Sequence, residues 1–270
     1  MDVISKIHCL LIKFNRLEIF MKITDLFITA ISYLRQSRKR TLIKAAFGLR
    51  EKQGLEIGGP STFFGVKSSF PIYLFAKNID GVNYSAQTVW EGSLLQGKTY
   101  NYYEDKIGIQ YIVEATNLKG IPDDQYDFVL SCHSLEHVAN PIKALYEWKR
   151  VIKKGGFLIL VLPDKRYTFD VNRPYTLFNH LVEDYKAGID EHDTTHFEEI
   201  LQYHDIQKDA GVETEFQLNE KLKDNYSKRT AHHHVFSQDV VKKMLEYCGF
   251  KVKHQQEDNS LHLITLANKH

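Results

Sequence analysis

Short apolar runs ending in glycine, proline or an acid recur along the middle of the chain, separated by turns and by stretches of helical period. Leu55 to Ile57, with Glu56 between them, leads into Gly58-Gly59-Pro60-Ser61, which reads as a buried parallel strand ending in a tight turn before a helix. Pro71 to Tyr84 holds second-strand material, Gln110–Thr116 a third strand ending in polar and small groups, and Tyr126–Leu130 a fourth after the Asp123-Asp124 turn. Ala144–Lys153 has helical period and runs through Gly155-Gly156 into another buried strand ending at Pro163. Ser237 caps a helix through Tyr247, with Val240, Met244 and Leu245 on one face. Phe250–Lys253 and Leu261–Leu266 then alternate as two strands. At the other end, Ile4, Ile7, Leu11, Phe14 and Leu17, followed by Leu26, Ile31 and Leu34, give residues 1–50 a helical pattern.

Length and composition narrow this little. A chain of 270 residues buries a full core as one large domain with additions. The expected division is an N-terminal helical extension over 1–50 and a main domain over 51–270. A net charge of +1 gives no general drive toward nucleic acid, and no nucleic-acid partner is expected. Cys9, Cys132 and Cys248 have no paired spacing, which argues against a disulfide scaffold or zinc knuckle and for a reducing, cytoplasmic setting. No apolar run approaches the roughly 20 residues that span a bilayer, and Lys13, Arg16, Glu18 and Lys22 interrupt the one candidate signal-peptide core. Arg35, Arg38, Lys39, Arg40 and Lys44 form a basic cluster, readable as a weak membrane-surface contact or as the solvated face of packed helices. The oligomeric state is left open.

The chemistry concentrates in three places. The glycine turn at 58–59 lets backbone approach a ligand closely. The loop after the fourth strand carries His133-x-x-Glu136-His137, whose members share one face if the loop begins a helix, and imidazole and carboxylate are both ligands for a divalent ion. Between Asp164 and Ala231 lies an irregular insert rich in aromatics, acids and histidines, at the sheet end where open α/β folds bind ligands. Taken as an insert over about 165–231, it reads as an acceptor lid in which Arg173 and His196 contact substrate. A doubly wound nucleoside-binding fold also places an acid at the end of its second strand. Asp80 is the candidate, although Gly81–Tyr84 extends the strand in another register and makes Asp80 a turn residue.

Taken in order, Leu55-Glu56-Ile57-Gly58, Leu135-Glu136-His137-Val138 and Arg150-Val151-Ile152-Lys153-Lys154-Gly155-Gly156 resemble the class I S-adenosylmethionine-dependent methyltransferases. The likeness is strong over about 54–164 and looser over 232–268. Pro60 and Thr62 stand where the family's later glycines fall. The resemblance implies an α/β three-layer, Rossmann-like sandwich with a seven-stranded mixed sheet, the last strand antiparallel. It implies S-adenosylmethionine as cofactor, held by Glu56, Gly58, Gly59, Pro60, Asp80, Glu114, Ala115 and Ser131, with Glu114 and Ala115 near the adenine.

The His133–His137 segment also resembles the Glu-x-x-Glu-His metal site of certain O-methyltransferases, with His232 and His234 as further ligands. The same Glu-His-Val occurs in metal-free members, where the histidine is structural or lines the pocket. His133, His137 and His196 are the candidate bases. The function implied is O-methylation of a sugar, glycan or other hydroxyl-bearing small molecule, as in bacterial polysaccharide or secondary-metabolite pathways. The rivals are an NAD-dependent Rossmann oxidoreductase, which needs a Gly-x-Gly-x-x-Gly spacing absent here, and a non-catalytic nucleoside-binding partner protein.

Overall fold

The computed structural model describes residues 24–32, 39–258 and 261–270. The chain divides into two compact units, one ending at Glu51 and taking in Ser61–Lys77, the other made of Lys52–Pro60 and Asn78–His270. In the first, α1 is described over residues 24–32, followed by α2 (Arg40–Gly48) and the single turn α3 (Ile72–Phe75). Leu42, Ile43 and Ala46 are the buried face of α2, and Phe47 meets Phe75 edge-on at 5.5 Å. Phe64 is fully buried, with Phe63, Phe70 and Tyr73 edge-on around it. Ile4 to Leu17, Leu34, Arg35, Arg38 and Cys9 lie outside the described residues. Lys39 precedes α2, Arg40 is its first residue and Lys44 lies at its middle. No helix among the described residues is long and apolar enough to cross a membrane.

In the second unit the apolar runs become neighbours in one sheet. Its strands are β1 (Gln53–Ile57), β2 (Asn78–Asn83), β5 (Gly97–Tyr103), β6 (Lys106–Ile112), β7 (Tyr126–Cys132), β8 (Ile152–Pro163), β9 (Phe250–Asp258) and β10 (His262–Lys269). Two short segments, β3 (Gln87–Thr88) and β4 (Gly92–Ser93), pair separately as a ribbon. The eight-stranded order is β5-β6-β2-β1-β7-β8-β10-β9. The five strands β6, β2, β1, β7 and β8 run parallel, and β10 is antiparallel to both β8 and β9.

The expected seven strands are joined by an eighth, β5, an antiparallel edge on β6. Its sequence, Gly-Lys-Thr-Tyr-Asn-Tyr-Tyr, has no aliphatic residue, so no apolar run announces it. The strand period is carried by Tyr100 and Tyr102, which are buried between exposed Thr99 and Asn101.

Helix α4 (Pro141–Val151) starts where Asn140 accepts a hydrogen bond from the Lys143 N–H at 3.0 Å and proline fills the first helical position. Its buried stripe, Ile142, Leu145 and Trp148, joins the main core, and the Trp148 Nε1–H donates to the Ala115 carbonyl at 3.0 Å.

The 165–231 segment is not irregular. It forms α5 (Phe178–Ala187), α6 (Phe197–Tyr203), α7 (Glu215–Lys223) and the short α8 (Asn225–Lys228). α5 packs on α4 and on α9 (Gln238–Tyr247), and its Leu181 lies in the main core. The rest has a small core of its own from Ile200, Val212, Leu218, Leu222 and Ala231. The helical period was hidden by the many polar residues on faces open to solvent.

Candidate active site

The strand order reverses between β1 and β7, since the chain builds outward on one side through β2 and β6 and on the other through β8. Open α/β sheets bind ligands outside the carboxyl ends of their strands at such a point. Here Gly58, just past β1, faces Ser134, just past β7. Gly58 has φ +76°, and a Cβ placed on it would sit 2.3 Å from Ser134 Oγ, which donates to the Ile57 carbonyl at 3.0 Å. The bare backbone is therefore required twice, by its own φ and by its neighbour. No α-helix follows the turn as expected. Ser61 instead caps a three-residue 3-10 turn, Thr62–Phe64, whose phenylalanines are buried.

Several expected cofactor contacts turn inward. Glu56 is fully buried, and its Oε2 accepts from Tyr100 Oη at 2.8 Å. Gly59 is small because a Cβ there would strike Glu56 and Tyr100, and Pro60 follows it in the same turn. Asp80 lies within β2, not at its end. It is saturated by the Ile109 N–H, the Asn78 side chain and Tyr126 Oη, so it locks strands together and is not the ribose acid. β2 ends at Asn83, which donates to the Gly59 carbonyl at 3.1 Å. The signal for this was Gly81-Val82-Asn83-Tyr84, the alternative register. Ser131 is fully buried in β7, with its Oγ unpaired among the described residues.

Glu114, just past β6, is half-exposed and pairs with Arg229 at 2.8 Å. Arg229 also reaches Glu191 at 2.8 Å and lies over the Tyr84 ring, so the end of the helical segment covers the ends of β2 and β6. Ala115 contributes its carbonyl to Trp148, not to a pocket.

The histidine loop separates where helical spacing would have united it. Only Leu135–His137 form a 3-10 turn, and His133 stands before it at φ +50°. His133 Nε2 meets His262 Nδ1 at 2.9 Å, and burial beside His262 pushes its pKa down to about 3. It does not join Glu136 and His137. Their partner is His232, and one donor atom from each of the three lies within 4.8 Å of the others.

The His137 Nδ1–H donates to the Ala231 carbonyl at 3.1 Å, and His232 Nδ1 contacts Asp170 Oδ2 at 2.5 Å, which leaves both Nε2 atoms as lone-pair donors. Glu136 is 1% exposed, with its Oε2 buried and unpaired among the described residues. Burial pushes Glu136 up to about 7 and holds His137 well below the imidazole range. Burial also opposes charge on His232, but Asp170 outweighs it and raises that pKa. Two imidazole nitrogens and one carboxylate oxygen, each imidazole oriented by a carbonyl or carboxylate, fit a divalent cation.

Arg173 is not an acceptor contact. It is 1% exposed, pairs with Asp170 at 2.8 Å and Glu199 at 2.9 Å, and donates to the carbonyls of His232 and His233. Sequence reasoning missed Asp170 and misassigned Arg173, and their i,i+3 spacing was the available sign. His196 and His234 lie together in a different cluster, with His180 and Asp184, and not with Glu136.

Residues 67–160 match the family model described as a methyltransferase domain, and together with the Rossmann-like fold this match supports a class I S-adenosylmethionine-dependent methyltransferase. No curated protein matches the chain. Similar solved structures include an S-adenosylmethionine-dependent methyltransferase from Mesorhizobium loti, at 13% identity and TM-score 0.47, covering 84% of this chain and 95% of that one. Another, from Aquifex aeolicus, is 16% identical with TM-score 0.44, covering 90% and 97%. The 1,6-didemethyltoxoflavin-N1-methyltransferase of Burkholderia thailandensis, solved with S-adenosylhomocysteine, is 12% identical with TM-score 0.45, covering 87% and 77%.

Proposed function

We propose that the chain transfers the methyl group of S-adenosylmethionine to a hydroxyl oxygen of a sugar, glycan or similar small molecule, at a site built from Glu136, His137 and His232. The observation that carries this reading is the buried Glu136 carboxyl, one oxygen of it unpaired among the described residues, with a donor atom within 4.8 Å of one each from His137 and His232, in the loop just past Ser134. In the reaction the methyl carbon–sulfur bond breaks, a carbon–oxygen bond forms and the hydroxyl proton leaves. Alignment and exclusion of water do most of the work. An alcohol is too weak an acid to give up its proton unaided. A divalent cation held by these three residues would lower the hydroxyl's pKa. The chain's own part is to present the Glu136 carboxyl and the two rings together, with Asp170 orienting His232 and the Ala231 carbonyl orienting His137. Trp90, half-exposed, lies 5.1 Å from the His137 ring and offers a flat face to a sugar ring.

The test uses S-adenosylmethionine carrying a carbon-13 methyl and a panel of sugar nucleotides and oligosaccharides. The carbon shift of the product separates O-methyl from N-, S- or C-methyl, and a label on nitrogen or carbon refutes the oxygen assignment. Chelation and Glu136→Gln should each stop turnover while S-adenosylhomocysteine still binds. Full activity under chelation would remove the cation and leave the Asp170–His232 pair as a general base. Tight NAD binding without S-adenosylhomocysteine binding would favour the oxidoreductase reading, and binding without turnover the partner protein.

A further inference from the structure

A second group of donors gathers on another face of the same histidine segment, and nothing in methyl transfer uses it. His180 and Asp184 stand one helical turn apart on α5, His196 immediately precedes α6, and His234 lies just before α9. One donor atom from each of the four falls within 4.8 Å of all the others. His180 Nε2 is 3.3 Å from His196 Nε2 and 3.2 Å from Asp184 Oδ2, and His234 Nε2 is 3.8 Å from Asp184 Oδ2. A tetrahedral cation with bonds of about 2.0–2.1 Å sets its ligands about 3.3 Å apart. The two distances among His180, His196 and Asp184 have that length, while the His234 Nε2 distance only places that ring beside Asp184.

The hydrogen bonding points the same way. His234 has a fully buried side chain, and its Nε2–H donates to the Ala139 carbonyl at 3.1 Å. That leaves Nδ1 as the lone-pair nitrogen, buried and unpaired among the described residues. Asp184 Oδ2 is likewise buried and makes no hydrogen bond, despite its nearness to His180. A core that spends a carboxylate oxygen and an imidazole nitrogen this way leaves two costly orphans, unless a cation takes both. The Ala139 carbonyl behind His234 is the usual outer partner of a metal-bound imidazole. Asp193, 4.0 Å from His196 Nε2, stands outside the four.

We propose that His180, Asp184, His196 and His234 form a structural Zn2+ site. Three histidines and one carboxylate suit zinc, and four protein ligands leave no open position, as in structural sites. The ion would join α5, the start of α6 and the segment that also delivers His232, fixing the catalytic histidine's backbone from behind. Entry is from the solvent side, where the His180 side chain is 40% exposed.

Cobalt(II) titration of the metal-stripped full chain tests this, because tetrahedral Co2+ has intense visible bands that six-coordinate Co2+ lacks. The expected result is one tetrahedral equivalent, displaced by Zn2+ and retained in Glu136→Gln. Since loss of an outer partner alone costs about 10–100-fold in metal affinity, loss of a ligand should cost at least about 100-fold. His180→Ala, on the exposed side, should therefore lose the bands, and Asp184→Asn should do the same if the alanine variant folds poorly. S-adenosylhomocysteine should still bind both variants. Absence of tetrahedral bands in the unaltered chain, or bands unchanged in both variants, overturns the site. Loss of the bands in Glu136→Gln with retention in His180→Ala would assign them to the catalytic group and overturn it equally.

Discussion

Gly58→Ala is the sharpest probe of the donor site. At φ +76° an L side chain costs about 1–2 kcal/mol over glycine. The new methyl would also lie 2.3 Å from Ser134 Oγ and 3.0 Å from Ser134 Cβ, so the serine must move and give up its bond to the Ile57 carbonyl, about 1 kcal/mol more. The sum, about 2–3 kcal/mol, is the cost of forcing the turn into its native shape. If the native shape is the one that binds donor, S-adenosylhomocysteine affinity should fall by about 30- to 160-fold, measured by titration calorimetry. The urea midpoint should fall as well, with the slope unchanged. Ser134→Ala removes the oxygen contact but not the φ cost. The double variant should therefore be no worse than Gly58→Ala, a non-additivity of about 1 kcal/mol. Wild-type affinity and midpoint in Gly58→Ala would refute both the strained turn and its role in binding. Valine, the more obvious choice, would only disrupt the loop more widely.

Asp170→Asn leaves a neutral partner on His232 and unbalances the buried Arg173, so stability should drop by about 3–5 kcal/mol in denaturant titration. Cation affinity at the Glu136 group should fall about 10- to 100-fold by calorimetry with Mn2+, while the tetrahedral Co2+ bands persist. Glu191 is held up to about 7, by burial against the opposing pull of Arg229. Folded protein thus binds more protons there than unfolded protein between pH about 4.3 and 7, and this contribution to stability declines as pH rises through that window. Glu191→Gln should flatten the stability–pH curve by about 4 kcal/mol across the window, and an unchanged curve would place the carboxylate in solvent.

The sheet was legible where its central strands are buried on both faces and appear as nearly unbroken apolar runs. Tyr126–Leu130 and Phe157–Pro163 could hardly be anything else. β5 escaped because tyrosines, and not aliphatics, carry its period. The site was legible in part. Glu136, His137 and His232 were all named, but a helical i,i+4 argument included His133, which a positive φ turns toward β10. Asp80 was misread because an acid beside a glycine turn looks like a ligand group in sequence, whereas here its carboxylate is taken up by Tyr126 Oη, the Ile109 N–H and the Asn78 side chain. The grip of Arg173 on the His232 carbonyl, 59 residues away, and the pairing of Arg229 with Glu114, 115 residues away, are contacts that no local pattern carries.

His232, His233 and His234 meet three different surroundings within three consecutive positions. The Glu136 group takes the first, Asn225 the second and the α5 histidine group the third. Their register is pinned from both sides, since the His233 N–H donates to the Glu136 carbonyl at 2.8 Å and Arg173 grips the carbonyls of His232 and His233. Slipping the segment by a single position would present the wrong ring to every neighbour at once. Descendants of this chain should accept point changes on the outer faces of α6 and α7 far more readily than any insertion or deletion between Ala231 and Phe236. Gaps in an alignment of its relatives should therefore avoid that stretch, even where the surrounding sequence has drifted beyond recognition.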